Sequence, residues 1–278
     1  MIAMRFVLVI FAIWCAFSTA CSAWKLDGEH PPEGDLGVRL DFHLATSWPT
    51  KYVKKGRQIP RTFAWSSHLT FEKDVSALED SDLWQLAHLA YAEMEANMKL
   101  YEVTAKKDKP RAMTVLAVGN EIFLASSVKK SANFAFAYPK TKVSNALEEC
   151  QTTFHKNGGE STDGHKNSAN CGEVMSAQMY YTTDKNKDTP LKGRDARYCT
   201  VVADKDDKPQ NTDPCSSMST WGCNLFVKQL EVKPVDITIK AQPFDLVEKM
   251  GKPVIDQIPL CALDYKPPEA SATPKAST

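Results

Sequence analysis

The chain has 278 residues, 43% of them hydrophobic, and its 34 lysines and arginines are balanced by 34 aspartates and glutamates. This length and composition favour one globular domain with additions. The balanced charge excludes a global basic field of the kind that nucleic-acid-binding proteins use, and equally an acidic field for a polybasic partner. Charge therefore gives no support to a polymeric nucleic-acid partner, although it does not rule out a base in nucleic acid as a substrate.

The N-terminus has the pattern of a secretory signal peptide over residues 1–23. Arg5 precedes an apolar run from Phe6 to Phe17, and small residues follow, with cleavage expected after Ala20 or Ala23. The run is well short of the roughly 20 residues that span a bilayer, and no later segment is long and apolar enough to do so. We therefore expect a secreted protein that is not held in a membrane after cleavage.

Two further segments differ in composition from the middle of the chain. Residues 24–75 carry repeated prolines and glycines between short apolar pieces, which predicts an extended N-terminal arm with one or two strands. Residues 263–278 form a tail rich in proline, alanine and serine, which has nothing to bury and is expected to be disordered. The periodic part of the chain, residues 76–262, is the predicted globular domain.

The periodic part predicts helices and strands in alternation. Helical spacing or β-type runs occur, in chain order, as a helix from Ser76 to Tyr101, a hairpin from Ala112 to Val128 around Gly119-Asn120, a helix from Val143 to His155, a helix from Asn170 to Tyr181, a strand from Ala196 to Val202, a helix from Trp221 to Leu230 and a strand from Val235 to Ile239. A polar, glycine-rich loop at 157–165 precedes the third of these helices. This order predicts an α/β fold, a mixed sheet with covering helices.

Six cysteines follow the predicted signal peptide, and an even number in a secreted chain makes disulfides the default expectation for each. They are Cys150, Cys171, Cys199, Cys215, Cys223 and Cys261. Three of them, Cys171, Cys215 and Cys223, lie at predicted helix starts or in the loops before them. Three thiolates can hold a catalytic Zn²⁺ and leave a fourth position for a water molecule. Glu173, two residues from the first cysteine, is placed to move a proton.

Cys171-Gly172-Glu173 followed by Pro214-Cys215 resembles the zinc-dependent cytidine deaminase superfamily, in particular its divergent secreted and fungal toxin-type members. The family fold begins with a helix and a β-hairpin, then has a ligand helix, a strand, a second ligand helix and a strand. The resemblance implies a three-layer deaminase-like domain over residues 76–262, with helices on both faces of a mixed sheet. It also implies Cys171, Cys215 and Cys223 as zinc ligands and Glu173 as the proton shuttle.

The second half of the motif departs from the family pattern, because seven residues separate Cys215 from Cys223 where the family has two. A disulfide between these two cysteines is the alternative, with Glu173 as a surface carboxylate at a helix start. His165 is an alternative ligand, a substrate contact or a solvated loop residue, and Trp221 stacks on a base or packs in the core. The remaining cysteines are expected to be buried thiols or a bridge.

The function predicted from this pattern is hydrolytic deamination of a nucleobase, a nucleoside or a base in nucleic acid, with zinc as the cofactor. The alternative is a non-catalytic, disulfide-stabilised secreted binding or effector protein on the same scaffold, so the sequence leaves enzymatic activity undecided.

Overall fold

The computed structural model describes most of the chain between the two ends, in the ranges 24–48, 53–54, 57–58, 61–129, 134–137, 141–159, 164–216 and 220–261. The predicted signal peptide and the predicted C-terminal tail lie outside the described residues. None of the helices in these ranges is long and apolar enough to cross a membrane.

Ten strands occur in the described residues, and eight of them belong to one open mixed sheet. The strands are β1 (Arg39–Leu40), β2 (Val53–Lys54), β3 (Arg57–Gln58), β4 (Trp65–Thr70), β5 (Ala112–Val118), β6 (Glu121–Ser126), β7 (Arg197–Ala203), β8 (Pro209–Thr212), β9 (Lys233–Pro234) and β10 (Val254–Asp256). The order in the large sheet is β1-β4-β6-β5-β7-β8, with β10 also beside β4 and β9 also beside β7. Among the strand pairs of the described residues, only β7 and β9 run parallel. The short strands β2 and β3 pair separately.

Seven α-helices lie in the same ranges. They are α1 (Phe42–Ser47), α2 (Asp80–Leu100), α3 (Phe134–Ala137), α4 (Lys142–Lys156), α5 (Gly172–Thr182), α6 (Cys223–Gln229) and α7 (Leu246–Met250). The predicted α/β class with a mixed sheet is thus confirmed.

The hairpin β5–β6 is confirmed and forms the centre of the sheet. Its strands pair in register from Met113 opposite Ser126 to Val118 opposite Glu121, and Gly119 turns the chain with a φ of 58°. This left-handed conformation is one that glycine adopts without the steric cost of a Cβ atom. The strand predicted from Ala196 to Val202 is present as β7, which pairs antiparallel with β5.

Alternate side chains of the hairpin enter two separate hydrophobic cores. Val115 and Leu124 pack in the core that contains helix α2, whereas Leu116 and Phe123 pack in the core that contains α5. Because successive side chains of a strand point to opposite faces, helices cover the sheet on both sides. Helix α5, which carries Glu173, lies directly against β5 and β6.

Three details differ from the sequence prediction. Helix α2 begins at Asp80, because Asp74 caps a short 3-10 turn over Val75–Ala77 before it. The strand predicted from Val235 to Ile239 is wrong: the chain turns there, and the pairing strand β9 ends at Pro234. Strand β4 falls within the predicted N-terminal arm, where it pairs with β6 inside the main sheet.

Candidate metal centre

Three cysteines from separate elements meet at one end of the sheet. Cys171 is the N-cap of helix α5, Cys223 is the first residue of α6, and Cys215 lies in the loop after β8. The backbone N–H of Cys223 donates to the Cys215 sulfur at 3.3 Å, which fixes the loop against the start of α6. Cys215 and Cys223 therefore lie side by side, with both sulfurs near one point.

The three sulfurs and His165 have the spacing of a metal site, since their four ligand atoms all lie within 4.8 Å of one another. The Cys171 and Cys215 Sγ atoms are 3.7 Å apart, and the His165 Nε2 atom lies 3.3 Å from the Cys223 sulfur and 3.9 Å from the Cys215 sulfur. Tetrahedral zinc bonds imply edges of about 3.8 Å between two sulfurs and about 3.6 Å between sulfur and nitrogen. The group can therefore hold a metal ion.

The disulfide alternative is not what the structure shows. All six described cysteines are free, including Cys215 and Cys223. The 3.7 Å between the Cys171 and Cys215 sulfurs is far longer than the roughly 2.05 Å of a disulfide bond.

Cys150, Cys199 and Cys261 lie outside this cluster as buried thiols, one of the two forms expected for them.

His165 is buried at 3% exposure, which rules out the solvated loop residue among its three sequence-based interpretations. Its Nδ1 atom accepts a hydrogen bond from the backbone N–H of Asn167 at 3.1 Å. A neutral imidazole that accepts at Nδ1 carries its proton on Nε2. The Nε2–H group then points towards the Cys223 sulfur as a donor.

Trp221 packs edge-on against the His165 ring, with 5.0 Å between ring centroids. Trp221 is only 2% exposed, so of its two sequence-based interpretations it takes the one in which it packs in the core.

Glu173 lies in the first turn of α5 and is 4% exposed, so it is not the surface carboxylate of the alternative interpretation. The Thr200 hydroxyl donates to its Oε1 atom at 3.1 Å, and the Thr200 and Thr114 hydroxyls are 2.8 Å apart. Burial raises the pKa of Glu173, and hydrogen bonds, including one with the Cys223 thiol, oppose this only in part.

Gly172 allows the start of α5 to lie close to the sheet. A Cβ atom at this position would lie 2.8 Å from the Ala125 carbonyl oxygen and would overlap the Thr114 hydroxyl. Only a residue without a side chain fits this approach. The glycine between Cys171 and Glu173 thus allows both candidate site residues to lie close to β5 and β6.

The thiols share hydrogen bonds that separate their pKa values. The hydrogen bond between the Cys171 and Cys215 thiols raises the pKa of Cys171 and lowers the pKa of Cys215. Burial raises the pKa of Cys223. Cys215 is therefore the first thiol to become a thiolate, and a bound cation would remove the remaining protons because metal ligands bind as thiolates.

A cavity of about 470 Å³ opens over Cys171, Glu173 and Cys215. Its other walls are mostly polar or charged, and they include Arg111, Ser127, Lys129, Asn167, Ser168, Asn170, Thr200, Thr212 and Asp213. This volume is within the range of small-molecule sites, roughly 300 to 1,000 Å³.

Thr114 and Thr200 were not singled out from the sequence, yet they connect Glu173 to the sheet. They lie opposite each other in the register of β5 and β7. Two facing threonines become visible in a sequence only when the strand register is known. Lys129 and Arg111 line the cavity as well, and nothing in their local sequence distinguishes them from other surface cations.

Comparisons of this chain with protein-family models, with curated proteins and with solved structures found no match.

Proposed function

We propose that this protein is a zinc-dependent hydrolytic deaminase with Cys171, Cys215 and Cys223 as the metal ligands. The observation that carries the proposal is the convergence of three free thiols beside the buried carboxylate of Glu173, at a place where Cys171, Cys215 and Glu173 line an open cavity. Sulfur ligands in tetrahedral spacing suit zinc, whereas magnesium and calcium prefer oxygen ligands.

The hydrogen bonding of His165 supports a centre with one open position. A ligand nitrogen must lack a proton, but Nδ1 already accepts from the backbone of Asn167, so the proton of the neutral ring is on Nε2. His165 would then donate to the Cys223 sulfur at 3.3 Å and leave the fourth coordination position to a water molecule. An open fourth position is the usual difference between catalytic and structural zinc sites.

The order of elements supports the deaminase-like fold as the scaffold. Helix α2 precedes the hairpin β5–β6, and Cys171 and Glu173 follow on α5, then β7, then Cys223 on α6, then β9. This is the order that the resemblance to the cytidine deaminase superfamily implies, with α3 and α4 inserted after the hairpin and β8 after β7.

In the proposed reaction, an oxygen from water joins the amine-bearing carbon of a base, the C–N bond breaks, and ammonia leaves. When bound, zinc supplies activation of the water molecule by lowering its pKa towards neutrality. Glu173 takes a proton from the attacking water and delivers it to the leaving amine. Thr200 holds the Glu173 carboxyl in place through its hydroxyl.

The first test is metal analysis of the purified protein. We expect about one equivalent of zinc, and Cys171→Ser should abolish it because an open centre has only three protein ligands. Cys199→Ser is the matched control. Cys199 is a buried thiol outside the cluster that donates to the Leu83 carbonyl at 3.2 Å, a hydrogen bond that a serine hydroxyl can also make. Absence of metal from protein prepared with added zinc would contradict the proposal.

The second test is Glu173→Gln, which keeps the size of the side chain but removes its ability to accept and return a proton. We expect unchanged zinc content and loss of ammonia release from cytidine and adenosine compounds by at least about 100-fold. Equal activity of this variant and the unsubstituted protein would show that Glu173 is not the proton shuttle.

A second candidate function follows from the position of His165 itself. If Nε2 is a fourth ligand, the site is closed and structural, and the protein is a non-catalytic secreted binding or effector protein. X-ray absorption of the zinc protein separates the two, because three sulfurs and one nitrogen indicate the closed site. His165→Ala should then lose most of the zinc, whereas in the open site it should retain it.

A further inference from the structure

Lys129 lies just after strand β6 and lines the cavity that contains Cys171 and Glu173. Its backbone is fixed, because Phe63 and Lys129 exchange two backbone hydrogen bonds of 3.1 and 3.0 Å. The side chain is partly buried. None of the carboxylates in the described part of the chain forms an ion pair with its ammonium group.

The other cation on this wall, Arg111, is already paired. Its guanidinium donates to the Asp207 carboxylate at 2.7 Å and to the Ala203 carbonyl at 2.9 Å. Of the two cations on this wall, the Lys129 ammonium is thus the one available to bind a ligand. Burial and then the charge of Arg111 lower the pKa of Lys129. An anion bound next to the ammonium would oppose both effects, because an opposite charge favours the protonated form.

We infer that Lys129 binds the phosphate group of the substrate, so that the substrate of the proposed deaminase is a free nucleotide and not a nucleoside or a free base. The inference rests on the proposed function. A dianionic ligand binds more favourably to a partly buried ammonium without a counter-ion than to an exposed one. The buried ammonium has already lost part of its hydration in the folded protein, so less hydration is lost on binding. Asp213, the exposed carboxylate at the same cavity, would disfavour a phosphate on its side and leaves Lys129 as the anchor.

The cavity volume of about 470 Å³ suits one nucleotide. A polymer would need further cations along its backbone, and the chain has no excess of them, with 34 basic and 34 acidic side chains. These two observations favour the mononucleotide over a base in a single strand.

The test compares kcat/KM for cytidine and adenosine with that for their 5′-monophosphates and for a short single-stranded oligonucleotide. We expect a preference for one monophosphate over its nucleoside of about 10- to 100-fold, the range of one charge-assisted hydrogen bond. Lys129→Gln should remove the preference by lowering kcat/KM for the monophosphate, and Lys129→Arg should restore part of it. Lys228→Gln, on the exposed side of α6, is the control that should change nothing.

Equal activity on nucleoside and monophosphate, or a preference that survives Lys129→Gln, would overturn the inference while leaving the proposed function intact. A higher kcat/KM on the oligonucleotide than on the monophosphates would also overturn it. If no compound is deaminated, calorimetric titration with the two monophosphates decides: weaker binding to Lys129→Gln supports the phosphate site by itself, and unchanged or absent binding refutes it.

Discussion

Glu121 and Glu173 are two glutamates on the described part of the chain with the same exposure, 4% each, but with opposite electrostatic surroundings. Burial raises the pKa of Glu121, but hydrogen bonds from His68, Asn186 and Lys185 outweigh it and lower the pKa to about 2. Burial also raises the pKa of Glu173, and there the opposing hydrogen bonds are too weak to reverse it. Burial alone therefore does not distinguish a structural carboxylate from a chemically useful one.

The side chains around Glu121 connect three strands of the sheet, β4, β6 and β10. The His68 imidazole, on β4, lies 3.2 Å from the Glu121 carboxylate on β6 and 2.7 Å from the Asp256 carboxylate on β10. The Lys185 ammonium is 3.1 Å from Glu121, and the Asn186 amide donates to it at 3.0 Å. All of these partners are supplied by the protein, which is the environment expected of a structural carboxylate.

Glu173 has a hydroxyl, a thiol and a cavity around it, and no cation among the described residues forms an ion pair with it. This arrangement leaves the carboxyl free to exchange a proton with a ligand. Substitutions at or near each glutamate test this difference between them.

The largest effect is expected from Gly172→Ala, which disturbs the Glu173 site directly. The new methyl group meets the Ala125 carbonyl oxygen at 2.8 Å, so α5 must move away from the sheet. We expect a loss of about 3 kcal/mol in the free energy of unfolding together with a loss of bound metal. Urea denaturation and metal analysis measure both.

Gly164→Ala is the matched control, because a Cβ atom there has no neighbour within 4 Å. Its free energy of unfolding should stay within about 0.5 kcal/mol of that of the unsubstituted protein. Its metal content should equal that of the unsubstituted protein within experimental error. Equal effects of the two substitutions would show that the close approach at Gly172 is not the reason for its identity.

An intermediate effect is expected from replacing each carboxylate by its amide. Glu121→Gln removes the charge that His68 and Lys185 face, and we expect about 2 kcal/mol of destabilisation at pH 7. Glu173→Gln in the metal-free protein should cost less than about 1 kcal/mol, because the Thr200 hydroxyl can donate to the amide oxygen equally well. Chemical denaturation of both variants checks this. If Glu173→Gln lowered the free energy of unfolding more than Glu121→Gln, Glu173 and not Glu121 would be the structural carboxylate.

The smallest effect is the pH dependence that Glu121 contributes. Its folded pKa of about 2 lies below its ordinary value of 4.5, so its stabilisation is fully present above pH 4.5 and is lost as the pH falls towards 2. Between pH 7 and pH 4 this loss is about 1 kcal/mol. The free energy of unfolding of Glu121→Gln should therefore fall less over this range, by about that amount, than that of the unsubstituted protein.

The sequence predicted the hairpin from Ala112 to Val128, its neighbouring strand and the helix that begins near Cys171, because these depend on local periodicity and on a turn dipeptide. It did not predict the true position of the last strand, because Val235 to Ile239 alternates in hydrophobicity but turns around Asp236, whose carboxylate accepts from the Thr238 N–H at 2.8 Å. Alternation describes exposure and does not specify pairing.

What the sequence by itself determined is the α/β class, the placement of Cys171 and Glu173 at one helix start, and Cys215 and Cys223 as their candidate partners. These follow from residue types and short spacings. Only the tertiary structure decided that the three cysteines are free and convergent, that His165 is buried with its Nδ1 atom facing the backbone of Asn167, and that Lys129 lines the same cavity. The physical reason is that metal geometry, hydrogen-bond direction and burial depend on contacts between residues far apart in the chain, which no local pattern encodes.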